Sequence, residues 1–141
     1  MRGLTIQEMK VGDSASFAKT VTETDIYLFA AISGDFNPAH VNEVEAQKTI
    51  FGKRIAHGLL SAGFISAALG TQLPGSGTIY LGQNLKFVHP VAIGDTVTAT
   101  VTVSELNVEK NRATLETVCT NQNGDVLITG TATVMPPKES E

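Results

Sequence analysis

One segment constrains the fold more than any other, because it has a helical pattern and is apolar on almost every side. It runs from about His57 to Leu69 and reads HGLLSAGFISAAL. A helix that is apolar all round is buried within protein. It is far shorter than the roughly 20 residues that span a bilayer, and Pro74 follows it closely. The segment therefore predicts a central helix wrapped by a sheet, and no membrane partner.

The second half of the chain has the pattern expected of that sheet. Between Asp95 and Glu105, valine and alanine alternate strictly with threonine, as in a half-buried strand. Further strands are predicted over residues 78–89, 112–121 and 126–134, and the last two are joined by Asn123-Gly124, a strong hairpin signal. The predicted fold class is therefore α+β, a curved antiparallel sheet around a long central helix. A chain of 141 residues predicts a single domain, 1–141.

Two shorter helices are predicted before the central one. The first spans Asp25 to Ser33, with Thr24 as its N-cap. The second begins after Asn42 and ends near Gly52. Between them lie residues 35–42, DFNPAHVN, which are predicted to form a loop.

Composition excludes several classes of function. A hydrophobic fraction of 42% and a formal net charge of −4 argue against disorder. The ten lysines and arginines form no basic patch, so no nucleic-acid partner is predicted. A single cysteine, Cys119, leaves no internal disulfide and fits a reducing compartment, which predicts a cytoplasmic protein. The three histidines and this cysteine show no zinc-type spacing, so no metal site is predicted.

The loop between the two short helices contains the best candidates for acid–base chemistry. Asp35 and His40 are five residues apart, and Pro38 keeps Asn37 out of the helical region, so a turn can bring the carboxylate beside the imidazole. Such a pair can hold one water molecule and transfer its protons. Because the loop faces an uncharged helix, the pair is expected to be shielded from water. The alternative is that Asp35 only caps the turn and His40 is an ordinary loop histidine.

The start of the central helix is a second candidate site. The first amides of a helix have no partner within the helix, and the helix dipole favours negative charge there. Gly58 has no side chain to obstruct its amide, which is therefore a candidate donor to an oxyanion. The alternative is that Gly58 is a packing glycine. His57 is interpreted as a capping or packing residue without a chemical role.

Three longer stretches carry a family resemblance: ISGDFNPAH, IAHGLLSAGFISAALGTQLPG and YLGQNLKFVHPVAIGDTV. Together, over about residues 10–135, they resemble the MaoC-like (R)-specific enoyl-CoA hydratases. The resemblance implies a hot-dog fold, a homodimer, and no metal or redox cofactor, with coenzyme A entering as part of the substrate. Asp35 and His40 match the family's catalytic pair, Gly58 matches the glycine that binds the thioester carbonyl, and Ser66 matches a serine near the site.

The implied reaction is the reversible hydration of a trans-2-enoyl-CoA to an (R)-3-hydroxyacyl-CoA, which in stand-alone members supplies polyhydroxyalkanoate synthesis. Two alternatives share the fold: an acyl-CoA thioesterase and a non-catalytic acyl-binding module. Candidates for contacting the coenzyme A phosphates are Lys53, Arg54 and Lys86, and each is otherwise a solvated charge. In the homodimer, an open sheet edge is expected to be covered, either 80–87 or the strand that begins at Asp95.

Overall fold

The structure is a computed structural model that describes residues 1–139, so the predicted domain of residues 1–141 extends two residues beyond the described part. A short 3₁₀ helix, Ile6–Glu8, precedes the main elements. The helices are α1 (Glu23–Ser33), α2 (Pro38–Val41), α3 (Glu43–Ala46) and α4 (Gly58–Thr71). The strands are β1 (Ser14–Thr20), β2 (Ile79–Phe87), β3 (Thr96–Asn107), β4 (Arg112–Thr120) and β5 (Val126–Met135).

The five strands form one antiparallel sheet in the order β1-β3-β4-β5-β2, and α4 packs across it. Along β3 the alternation seen in the sequence becomes an inner face of four fully buried side chains: Val97, Ala99, Val101 and Val103. From α4, Ile65, Ala68 and Leu69 join them in the core. The predicted α+β arrangement, a sheet around one long helix as in a hot-dog fold, is confirmed.

Strand β1 was not predicted, and it changes which strands lie at the edges. Its sequence, SASFAKT, has a single large apolar side chain, Phe17. It pairs with β3 from Ser14 opposite Thr102 to Thr20 opposite Thr96. The strand that begins near Asp95 is therefore inside the sheet, and the prediction of an open edge there is wrong. The other predicted edge strand, β2, is an edge of the described sheet.

Helix α1 begins earlier than predicted because a different threonine caps it. The Asp25 amide donates to the Thr22 hydroxyl at 3.1 Å, and the Thr22 amide donates to the Asp25 carboxylate at 2.9 Å. This reciprocal pair satisfies two amides that the helix itself leaves without partners. The prediction of Thr24 as the cap is therefore wrong. At the other end Gly34 adopts a left-handed conformation (φ 81°), and its amide donates to Ala30.

The segment after α1 is more ordered than the predicted loop. Asn37 has ψ 127°, outside the helical region as predicted, and its side chain caps the one-turn helix α2. Helix α3 ends at Ala46 and not near Gly52. The Thr49 hydroxyl donates to the Ala46 carbonyl at 2.6 Å, and such local side-chain bonds compete with helix continuation. Within residues 1–139, no helix combines the length and the apolar character that crossing a bilayer requires.

Candidate active site

Three elements bring the candidate residues to one cavity of about 380 Å³. Asp35 follows the left-handed Gly34 that ends α1, and His40 lies on α2. His57 and Gly58 form the start of α4. Apart from the helix-ending Gly34, all of these residues line the cavity. The sequence prediction that a turn brings Asp35 and His40 to the same place is confirmed.

Most of the remaining cavity wall is apolar. Its lining includes the side chains of Phe51, Ile55, Leu59, Phe87, Val88, Val91 and Ile128. A pocket of this kind holds a hydrocarbon chain by burial, while a few polar groups fix the reacting end of the ligand. The polar side chains of the lining are those of Asp35, His40, His57, Ser61 and His89.

The carboxylate of Asp35 serves the turn with one oxygen. Its Oδ1 accepts from the Asn37 amide at 3.1 Å, which is the capping role considered as the alternative to chemistry. Within residues 1–139, Oδ2 has no hydrogen-bond partner, so it is available to a ligand. The two interpretations are therefore compatible. The residue is exposed, so the expectation that this carboxylate is shielded from water is wrong for the single chain.

The imidazole of His40 has a defined tautomer. Its Nδ1 lies 2.8 Å from the Ile55 carbonyl oxygen, and a carbonyl only accepts, so Nδ1 carries the proton. The neutral ring then presents an Nε2 lone pair. A carboxylate oxygen of Asp35 and a ring nitrogen of His40 lie within 4.8 Å of each other. Two hydrogen bonds of about 2.8 Å that meet at one water molecule span about 4.6 Å, so one water molecule can bridge two groups that lie this close together.

His57 belongs to the site, and sequence reasoning missed its role. It is only 2% exposed, and its Nε2 donates to the Asp35 carbonyl oxygen at 2.9 Å. Its ring stacks on that of His40 with centroids 3.9 Å apart. It occupies the N-cap position of α4, but its side chain makes no capping hydrogen bond. Of the two predicted roles, capping is therefore wrong and packing is what the structure shows. The available signal was a polar ring directly before Gly58 at the start of a buried helix.

The three side chains of Asp35, His40 and His57 are also close enough for metal ligation, since one ligand atom of each lies within 4.8 Å of the others. Spacing along the chain did not reveal this, because His40 and His57 are brought together only by the fold. The two imidazoles stack with an angle of 30° between their planes. His40 Nδ1 and His57 Nε2 each lie within hydrogen-bond distance of a backbone carbonyl oxygen, so hydrogen bonding within residues 1–139 leaves one nitrogen of each ring without a partner.

Gly58 lines the cavity at the first position of α4, where an amide has no partner within the helix. The ring of Phe87 packs directly against it. A Cβ atom at position 58 would lie 2.5 Å from the Phe87 Cε1 atom. Both interpretations of Gly58 therefore have a structural basis: its amide lies at the site, and its missing side chain makes room for Phe87.

Ser66 lies apart from the other predicted site residues. It is exposed and is eight residues beyond Gly58 on α4, about 12 Å along the helix axis. It does not line the cavity in the described chain, so its role stays a prediction. Ser61, which was not predicted, does line the cavity. It is fully buried, and its Oγ has no hydrogen-bond partner within residues 1–139.

Arg54 is buried and bonded within the chain, so it is a structural link and not the solvated charge that was considered. Its side chain is 9% exposed, its Nη1 lies 2.6 Å from a Glu23 carboxylate oxygen, and its Nε donates to the His40 carbonyl at 2.8 Å. The Arg54 hydrogen bond, followed by that of Tyr27, holds the pKa of Glu23 below its ordinary value. Lys53 and Lys86 are exposed, and Lys53 lines a neighbouring pocket of about 370 Å³ that shares Phe51, Ile55, His89 and Pro90 with the cavity.

Comparisons with known proteins agree with this geometry. A family profile described as a MaoC like domain matches residues 7–124. An (R)-specific enoyl-CoA hydratase of Rhodospirillum rubrum is 63% identical over 93% of this chain and 90% of its own length. The unliganded R-hydratase PhaJ1 of Pseudomonas aeruginosa superposes with a TM-score of 0.92 at 44% identity, covering 98% of this chain and 88% of that one. An (R)-hydratase of Aeromonas caviae, described as involved in PHA biosynthesis, superposes with a TM-score of 0.90 at 45% identity, covering 93% of this chain and 99% of that one.

Proposed function

This chain belongs to the MaoC-like dehydratase family, and from that premise we propose that it is an (R)-specific enoyl-CoA hydratase. It is a hydro-lyase that adds water reversibly to a trans-2-enoyl-CoA and forms an (R)-3-hydroxyacyl-CoA. The observation that carries this proposal is that a carboxylate oxygen of Asp35 and a ring nitrogen of His40 lie within 4.8 Å of each other in a mainly apolar cavity, a separation that one water molecule can bridge.

In the proposed mechanism Asp35 and His40 hold the water between them. As its oxygen bonds to C3 of the enoyl group, one of the pair takes a proton, and a proton is returned to C2 on the same face. The substrate thus gains one hydrogen and one hydroxyl group. Because the two groups act on one water molecule, separate labels of acid and base describe the pair poorly.

The Gly58 amide is the proposed donor to the thioester oxygen. That oxygen gains negative charge as the enolate forms, so a donor placed there stabilises the transition state. Proton transfer and this hydrogen bond are sufficient for water addition, and the mechanism uses no metal or redox cofactor. Coenzyme A takes part only as the carrier of the acyl group.

The apolar wall of the cavity supports an acyl chain as the bound group, and Ser66 is proposed to act near the substrate as the family resemblance implies. We propose further that residues 1–141 form one domain and that the protein works as a homodimer in the cytoplasm. Supply of monomers for polyhydroxyalkanoate synthesis is its proposed physiological use, and the similar Aeromonas caviae (R)-hydratase is described as involved in PHA biosynthesis.

A spectrophotometric assay with crotonyl-CoA tests the function. We expect the absorbance of the conjugated enoyl thioester to fall without release of free thiol. Release of coenzyme A thiol would instead indicate a thioesterase, and binding measured by calorimetry without either reaction would indicate an acyl-binding module. The Asp35→Asn variant is the matched control, since it keeps the size of the side chain and removes its charge.

A further inference from the structure

We propose that His57 is a positioning residue, which holds the Asp35 backbone and the His40 ring in one fixed arrangement through its neutral Nε2–H tautomer. The inference deepens the proposed function, on which it rests for what Asp35 and His40 do. His57 itself is not required to contact substrate.

The first contact concerns Asp35, which has few other attachments. The Asp35 amide donates to the Ser33 hydroxyl, and its carboxylate accepts from the Asn37 amide, so both of these bonds join residues two positions apart. The bond from His57 Nε2 to the Asp35 carbonyl oxygen, 2.9 Å long, is the one that connects Asp35 to a distant part of the described chain. Because Asp35 is exposed and follows a left-handed glycine, this bond fixes its place relative to α4.

The second contact concerns His40. Its Nδ1 donates to the Ile55 carbonyl, which sets the tautomer and the rotation of the ring. The stacked His57 ring, with centroids 3.9 Å apart, restrains the same ring across its face. His57 is in turn held by the ring of Phe29, whose centroid lies 4.8 Å away. One buried ring therefore contacts both members of the proposed catalytic pair.

The two ring nitrogens of His57 indicate that its Nε2–H donor, and not the bulk of the ring, is the group that positions Asp35. Since Nε2 donates to a carbonyl, the neutral ring leaves Nδ1 without a proton, and this Nδ1 is buried without a partner in the described residues. A buried acceptor without a partner is unfavourable. A purely apolar ring would pack in the same place without that cost, so what the histidine adds is its Nε2–H.

Two amide variants of His57 distinguish a positioning role of this residue from a packing role. The amide nitrogen of His57→Gln can reach the place of Nε2, whereas that of His57→Asn reaches only the place of Nδ1. We expect His57→Asn to lose about 10²-fold in kcat with little change in KM, as misplacement by about 1 Å does. His57→Gln is expected to recover most of that loss although it lacks the ring. Circular dichroism and thermal unfolding establish that both variants fold.

Equal kcat in the two variants would overturn the proposal, whether both are active or both inactive. Should neither variant fold, ¹⁵N NMR of the imidazoles in the wild-type protein decides. We expect His57 to carry its proton on Nε2 and His40 to carry its proton on Nδ1. A proton on Nδ1 of His57 would contradict the inference. This measurement uses no substrate, so it is independent of the hydratase assay, whose failure would overturn the proposed function alone.

Discussion

The two carboxylate oxygens of Asp35 have different environments, so one residue can hold the turn with one oxygen and meet a ligand with the other. Oδ1 accepts from the Asn37 amide and so shapes the turn that leads into α2. Oδ2 is left to a ligand. His40 shows the same division, since Nδ1 is bound to the Ile55 carbonyl and Nε2 is free for chemistry. Isosteric variants at these positions can therefore remove the chemical group and keep the structural one.

We predict that Asp35→Asn and His40→Asn each reduce kcat by about 10²–10⁴, the range for loss of a general acid–base group. The amide introduced at position 35 retains an acceptor for the turn, and the amide introduced at position 40 retains a donor near the Ile55 carbonyl. The double variant is expected to lose little more than either single variant, because both residues act on one water molecule. Steady-state kinetics on the three proteins tests this. Losses that simply multiply would contradict a shared water molecule.

A second prediction concerns the Gly58 amide, and the contact with Phe87 determines its design. Any side chain at position 58 meets the Phe87 ring, so Gly58→Ala alone is not a neutral control. In a Phe87→Ala background, Gly58→Ala and Gly58→Pro both add a Cβ atom, but only proline removes the N–H. Proline is favoured at the first position of a helix, and the preceding ψ of 135° suits it.

Loss of one oxyanion donor costs about 10²–10³ in turnover. We therefore expect Gly58→Pro to have a kcat lower than that of Gly58→Ala by this factor in the shared background. Equal kcat values would mean that Gly58 is only a packing glycine.

The candidate site depends on how helices α1 and α2 are held against the start of α4. Arg54 makes this connection, because it bonds Glu23 on α1 and the His40 carbonyl on α2. Its guanidinium also lies 5.1 Å from the centre of the Tyr27 ring. Arginine suits such a place, since its donors are fixed in one plane and it stacks on aromatic faces.

We predict that Arg54→Met lowers the free energy of unfolding by about 1–3 kcal/mol, because the His40 carbonyl loses its donor from Arg54 and the side chain is buried. Lys53→Met is the matched control. It removes the same charge from an exposed neighbour and is expected to change stability by less than about 0.5 kcal/mol. Urea unfolding of the two variants gives the comparison. Equal effects would show that Arg54 is not the link between these elements.

Elements with a strong sequence period or clear capping residues were predicted, whereas strand β1, which has neither, was not. Helix α4 and strand β3 were recognised because their sequence patterns are continuous: the helix is apolar on almost every side, and the strand alternates between apolar residues and threonine. Strand β1 was missed because its inward positions are half-buried and only Phe17 among them has a large apolar side chain. In the site, Asp35 and His40 are near in sequence, whereas the contacts of His57 are with residues 22 and 17 positions earlier. Contacts of that kind are created by the fold and have no local signal.

In the five-stranded sheet of the described chain, β2 is an edge strand, and no further strand pairs with its outer side. Ile79, Tyr80 and Leu81 on this strand are 53%, 40% and 46% exposed. Apolar side chains on an edge strand favour association with another sheet edge. This supports β2 as the place where two copies meet in the proposed homodimer.

We predict that light scattering at micromolar concentration gives twice the chain mass of 14.9 kDa. A Leu81→Lys variant is expected to shift the protein towards the monomer, because it places a charge on the exposed strand. A wild-type mass of 14.9 kDa would contradict the homodimer. A dimer unaffected by Leu81→Lys would place its interface elsewhere.

The stereochemistry of the product is the most direct test of the proposed (R)-specific hydration. The wild-type protein is incubated with crotonyl-CoA, and the product is offered separately to an (R)-specific and an (S)-specific 3-hydroxyacyl-CoA dehydrogenase. We predict NADH or NADPH formation with the (R)-specific enzyme and none with the (S)-specific one, because the similar hydratases are (R)-specific and the proposed mechanism adds water from one face of the enoyl group. Formation of the (S) product would contradict the proposed function, even if the rate of hydration were high.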